Sequence, residues 1–211
     1  MINGRFVDLT LTYEDLMAGV SFEETKTLER DGWNARTLHI YGHSGTHMDA
    51  PLHFGVNIRT IDDFKPEDFI GKAHILRLNI STDSYLISES DLEPVLDLIE
   101  PGDSLVIQSG WSAHIYKEKY RKGLPRISKE AALCLVKHEI KMLGVESPSV
   151  ADVGNLDEVT NIHRILMDGN VIIIEGLTNL EQLHKNTFTL LAFPLKIKDG
   201  DGAPARVIAI E

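Results

Sequence analysis

Apolar and β-branched residues gather into short runs separated by polar or glycine-containing stretches. The runs predict strands over 6–9, 36–41, 73–80, 104–108, 171–174, 188–197 and 207–210. Between them the spacing turns helical. The clearest case starts at Ser128, a residue type suited to an N-cap, and stops at Gly144, with Ala132, Leu135, Val136, Ile140 and Leu143 on one face. Two further helical patterns cover 90–99 and 158–167. Strands and helices interleave without strict alternation, which predicts an α/β chain with a mixed, barrel-like sheet and flanking helices rather than a doubly wound parallel sheet. No internal repeat or low-complexity stretch is visible, and Gly and Pro are scattered rather than collected in a linker. Residues 1–211 are therefore read as one domain.

Composition changes this picture mainly by exclusion. With 43% hydrophobic and 25% charged residues, the 211-residue chain has ample material for a core, which argues against disorder. The balance of 21 Lys and Arg against 32 Asp and Glu, a formal charge of −11, argues against a nucleic-acid partner. The single cysteine, Cys134, excludes an intrachain disulfide or a four-cysteine zinc site and reads as a small buried residue of the helix it falls in. No leader pattern opens the chain and no apolar run approaches the ~20 residues of a membrane span, so a cytoplasmic protein without membrane contact is expected. Charge is unevenly placed: 78–116 holds seven acids and no Lys or Arg, whereas 117–126 reads KEKYRKGLPR. Solvated faces account for both blocks, although a basic loop beside an active site would steer an anionic substrate.

Candidate chemistry concentrates in GHSGTHMDAPLHF, residues 42–54, which holds His43, His47, Asp49 and His53. Fully extended, the stretch from 43 to 53 would span about 33 Å at ~3.3 Å per residue, too far for one ion with ligands at ~2 Å. The chain must curl, and Gly42, Gly45 and Pro51 suit an irregular loop rather than a helical HxxxH site. Two imidazoles and a carboxylate form the donor set of a catalytic metal that keeps open positions, so His43, His47 and Asp49 are the expected ligands. His53, beyond Pro51, is expected to serve as a general base and acid, since an unperturbed imidazole near ~6.5 suits proton transfer at neutral pH. His39, His74, His114, His138 and His184 have no ligand-like neighbours in sequence and are not expected at the site. GHSGT only superficially matches a GxSxG elbow, because position 46 is Thr; no GxGxxG or GxxxxGK[ST] occurs.

The segment HSGTHMDAPLH resembles the HxGTHxDxPxH signature of the cyclase family, which includes bacterial kynurenine formamidases and isatin hydrolases. The similarity continues through SGW at 109–111, GVESPSV at 144–150, His163, EGLTNL at 175–180, FPLK at 193–196 and DGAPAR at 201–206. It implies a swivelling β/β/α fold with a barrel-like core, and a homo-oligomer, dimer or tetramer. It also implies that Asp49 bridges two metal ions, with His43 and His47 completing one site, His163 and Glu175 the other, and His53 carrying protons. The resemblance is incomplete. Formamidases carry a proline-flanked Trp after the N-terminal strand, whereas this chain has Tyr13, Phe22 and Trp33 in that region; Glu146 stands where Asp is frequent, and Ala151 where another Asp is frequent. Trp111, after Ser109 and Gly110, either lines a pocket or packs in the core.

The expected activity is metal-dependent hydrolysis of a C–N bond in a small amide or cyclic amide, with one or two divalent ions, Zn or Mn, activating water and polarising the carbonyl. Two other readings use the same donors: a mononuclear Fe(II) oxygenase with a 2-His-1-carboxylate triad, and a non-catalytic metal-binding protein.

Overall fold

Backbone hydrogen bonds run around seven strands and close the sheet on itself. A computed structural model describes residues 4–211. In chain order the strands are β1 (Phe6–Asp8), β2 (Val20–Lys26), β3 (Ala35–Ile40), β4 (His47–Asp49), β5 (Ile70–Arg77), β6 (Leu86–Ile87), β7 (Ser104–Gln108), β8 (Arg126–Ile127), β9 (Met142–Val145), β10 (Ile172–Glu175), β11 (Thr187–Pro194) and β12 (Gly202–Ile210). The α-helices are α1 (Leu28–Asp31), α2 (Glu89–Leu96), α3 (Lys119–Lys122), α4 (Lys129–Lys137) and α5 (Leu156–Asp168). The ring runs β12-β11-β5-β7-β9-β10-β4 and returns to β12, whose far end also pairs with β1. Strands β5, β7, β9 and β10 are mutually parallel, and β11, β12 and β4 join antiparallel. The mixed, barrel-like sheet expected from the interleaved pattern is therefore present. Strands β2 and β3 form a separate antiparallel ribbon, and β6 pairs with β8.

Parallel strands that are covered on both faces need apolar residues at every position, and the run of isoleucines in β10 meets that need. Ile172 and Ile174 point into the ring with Met48, Val106 and Met142. Ile173 points outward and packs with Leu105, Leu143, Leu135 and Leu166 beneath α4 and α5. The same alternation splits β7, with Val106 inward and Leu105 and Ile107 outward.

Several boundaries differ from the sequence pattern. Helix α4 starts as expected, the Ser128 hydroxyl accepting a hydrogen bond from the Ala131 N–H at 3.1 Å, but it ends at Lys137. Glu139 adopts a left-handed φ of 51° and turns the chain, so Ile140 and Leu143 continue the apolar spacing outside the helix, Leu143 within β9. Gly144 is not a helix stop. A Cβ there would lie 2.7 Å from Leu177 Cδ1, so any larger residue in β9 would have to displace that buried side chain. The segment after Tyr41 is irregular as expected over 42–46, but His47–Asp49 then pairs as β4. Trp111 lies in the core with Tyr120 and Leu124, its indole N–H donating to the Tyr120 carbonyl at 3.0 Å. Among the described residues, no helix is long and apolar enough to cross a membrane.

Candidate metal centre

The histidine segment is held in place by hydroxyls that tie it to the ring. The Thr46 hydroxyl donates to the Gly176 carbonyl at 2.6 Å and accepts from the Leu11 N–H at 2.8 Å, while the Tyr13 hydroxyl donates to the Ser44 and Thr46 carbonyls. These bonds deliver the chain into β4 in a fixed register: His47 opposite Glu175 of β10, and Asp49 opposite Gly202 of β12. In a strand, alternate residues share a face, so Met48 enters the ring interior while His47 and Asp49 point outward, toward α5. That helix presents His163 from its buried face, between Val159, Ile162, Leu166 and Met167.

All six side chains singled out in the sequence meet on the outer wall of the ring. His43 Nδ1 lies 2.8 Å from Asp49 Oδ1, and His47 Nε2 lies 3.7 Å from the same oxygen and 3.2 Å from Glu175 Oε2. His163 Nε2 is 3.5 Å from Asp49 Oδ2 and 3.3 Å from Glu175 Oε1. Asp49 thus stands at the centre of two triads, His43–His47–Asp49 and Asp49–His163–Glu175. His53 sits to one side, its ring stacked on His43 at 3.8 Å between centroids, and Phe54 stacks on His163 at 4.2 Å.

Hydrogen bonding tests whether these residues suit a cation. His47 Nδ1 faces the Gly45 carbonyl at 3.0 Å, and His163 Nδ1 faces the Val159 carbonyl at 2.6 Å. A carbonyl only accepts, so each Nδ1 carries the proton and each neutral ring turns its Nε2 lone pair toward carboxylate oxygens. Lone pair against carboxylate is repulsive unless a proton or a cation lies between them. Separations of 3.2–3.7 Å also match the ~3.3 Å edge of a tetrahedron with ligands at ~2.0 Å. Three imidazoles and two carboxylates can therefore hold one or two divalent ions, and the donor set fits the group.

The charges of the protein groups respond to this crowding. Burial opposes protonation of His43, but the Asp49 and Asp201 carboxylates outweigh it and raise the imidazole to about 9. Burial likewise works against charging His47 and His163, and Glu175 and Asp49 overcome it, raising both. The same two imidazoles outweigh burial at Glu175 and hold its carboxyl far below the usual range. His53 moves the other way: burial, with the neighbouring His43 and His163, lowers it despite the attraction of Asp49 and Asp201.

Asp201 was not singled out in the sequence. Its carboxylate lies 3.1 Å from His43 Nε2 and 3.3 Å from His53 Nδ1, linking the stacked rings. In the sequence it appears only as the first residue of DGAPAR, one of the segments that carry the resemblance. Glu146 has a structural part. Its buried carboxylate accepts hydrogen bonds from the Ser109 and Gly110 N–H groups and the Ser112 hydroxyl, clamping the SGW loop. The site opens into a cavity of about 580 Å³ whose lining includes Leu16, Met17, Ile115, Arg121, Pro148 and Val153.

A closed mixed ring with a buried imidazole–carboxylate pocket on its outer wall defines a class of α/β protein suited to binding divalent ions. Within that class the chain belongs to the cyclase family, whose description, "Putative cyclase", matches residues 7–152. A kynurenine formamidase of Bacillus cytotoxicus is 29% identical over 192 residues, 89% of this chain and 86% of that protein. Among solved structures, isatin hydrolase A from Ralstonia solanacearum superposes with a TM-score of 0.86 at 22% identity, covering 98% of this chain and 92% of the other. A "predicted metal-dependent hydrolase" from Bacillus stearothermophilus gives 0.79 at 22% identity, covering 99% and 98%. These likenesses to solved structures support the fold.

Proposed function

We propose that the chain is a metal-dependent hydrolase that cleaves the C–N bond of a small amide or cyclic amide. The observation that carries the reading is the convergence of His43, His47, Asp49, His163 and Glu175, with His53 beside them at the mouth of a cavity. The formamidase relative supports the substrate class. In this reading His43, His47, Asp49, His163 and Glu175 would hold one or two divalent ions. A bound ion would supply Lewis acidity and would make water more acidic, toward a pKa of ~7.

The chain's own residues do the rest. His53 takes a proton from the attacking water through its free Nε2 and passes it to the departing nitrogen, so water adds across the C–N bond to give an acid and an amine. Burial keeps His53 neutral near pH 7, the form a base needs. Asp201, on the Nδ1 side, accepts that N–H and fixes the ring's tautomer. Stacking on His43 holds the imidazole plane in place.

Metal analysis of purified protein, coupled to anaerobic turnover of formylkynurenine, isatin and simple cyclic amides, tests the reading. Bound Zn or Mn with oxygen-independent hydrolysis of one of these is the expected result. Oxygen-dependent turnover would favour an Fe(II) oxygenase instead, and metal binding without turnover of any amide would favour a non-catalytic protein. A homo-oligomer belongs to the same proposal, supported by the exposed Leu28, Trp33 and Leu38 on and around the β2–β3 ribbon; light scattering tests it.

A further inference from the structure

The basic block 117–126 folds over the cavity, and its cations are not equivalent. Lys119 is paired with Asp83 at 3.0 Å, Lys122 with Glu118 and Arg126 with Glu158 at 2.8 Å, while Lys117 lines the outer cavity only. Among the described residues, the Arg121 guanidinium has neither a hydrogen-bond nor an ion-pair partner. Arg121 also lines both the outer cavity and the inner cleft that contains Asp49, His53, His163 and Glu175. It is the only Lys or Arg among the described residues bordering that inner cleft.

Its position is built rather than incidental. The preceding residue, Tyr120, is buried and pinned at two points: its hydroxyl donates to the Glu146 carbonyl at 3.0 Å, and its own carbonyl accepts the Trp111 indole N–H at 3.0 Å. The turn of α3 is thereby fastened to the region just beyond β9, and the next side chain is offered to the cleft. A guanidinium without a protein partner, carried by an anchored backbone at the edge of a reaction pocket, presents the planar fork that matches a carboxylate. The cavity wall beyond it is apolar at Leu16, Met17 and Ile115, which suits a hydrocarbon body.

We infer that Arg121 is a specificity-determining residue that binds the carboxylate of an anionic amide substrate while the amide carbon sits at the imidazole–carboxylate pocket. The inference rests on the amide-hydrolase reading, and the experiment separates the two. Formanilide and its ortho, meta and para carboxylates would be assayed with metal-loaded wild type, Arg121→Gln and Arg121→Lys. In the wild type the best carboxylate isomer should exceed formanilide in kcat/KM. Arg121→Gln should lower that isomer's kcat/KM by about 10- to 100-fold, mainly through KM, the size expected for a charge-assisted hydrogen bond. Formanilide should stay within about twofold, and Arg121→Lys should recover part of the loss. Equal losses on charged and neutral amides, or no loss on either, would overturn the inference.

If no amide is hydrolysed, the hydrolase reading fails for these substrates and benzoate calorimetry decides Arg121 separately. Weaker benzoate binding to Arg121→Gln than to wild type upholds it, and equal or absent binding in both overturns it. An unchanged melting temperature for both variants is expected, because Arg121 is exposed.

Discussion

Gly202 stands against His43 so closely that a Cβ would lie 2.5 Å from the ring's Cε1 and 2.7 Å from the Met48 carbonyl oxygen. A Gly202→Ala substitution therefore has to displace either the imidazole or the β4–β12 pairing. Gly→Ala at an unstrained site stabilises by about 0.4–1 kcal/mol; here a loss of roughly 1–3 kcal/mol is expected from overpacking. Metal affinity should fall with it, read by calorimetric titration of the chelator-treated protein. His53→Ala should behave differently. The ring lies outside both triads centred on Asp49, although with His43 and Asp201 it forms a third cluster of ligand type; in the proposed proton-transfer role, metal content by elemental analysis should be unchanged while kcat falls by about 10²–10⁴-fold, the usual worth of a general acid–base. Metal loss with the fold preserved would make His53 a ligand.

These residues were unequally visible in the sequence. His43, His47, Asp49 and His53 were legible because their spacing among Gly and Pro has few other physical uses. His163 and Glu175 carry no local pattern and were reached through resemblance, since a lone helical His or strand-end Glu is ordinary. Asp201 went unrecognised because its value comes entirely from the pairing of β12 with β4, which no local window contains.

Helix α5 links packing to the pocket. It brings His163 to Glu175 only because Leu166, fully buried, seats the helix among Leu135, Leu143 and Ile173. Leu166→Ala should cost about 2–5 kcal/mol through lost burial and the cavity left behind, measured by urea denaturation of the metal-free protein. Added Zn or Mn should recover part of the loss, because an ion that binds only the folded chain stabilises it by mass action. At this level β3, β5, β7, β10, β11 and all three substantial helices were legible, whereas the seven-residue β2 was not expected and only the end of β12 was. The overrun of α4 shows what was not: apolar spacing of three and four residues passed through a turn into β9, and periodicity alone cannot see a single left-handed residue such as Glu139. β4 was missed for a related reason. Three residues, His-Met-Asp, are too short for alternation to register, and their strand character is imposed by pairing on both sides.

The whole chain's response to pH should depend on whether metal is present. Without metal, His43 is raised from 6.5 to about 9, and His47 and His163 are raised as well. A raised imidazole contributes stability that is complete below its unfolded value and is lost as pH rises through the folded one. Between pH 7.5 and 9, where His53 is neutral in both states, chelator-treated protein should lose stability on the order of 1–2 kcal/mol from His43 alone. Metal requires the deprotonated rings, so its affinity should rise over the same interval and the loaded protein should not show the loss. Thermal melts at several pH values with and without metal check this; parallel profiles would refute it.

The ring closes through its last strand, and that closure governs when the pocket can exist. His43 and Asp201 are 158 positions apart, and β4 gains its second neighbour only when β12 arrives. A growing chain exposes the histidine segment early and completes the wall behind it last. Contacts of such long range are slow to form, so on the proposed metal-binding reading the Asp201 edge of the pocket is expected to be the last part completed, when β12 pairs with β4.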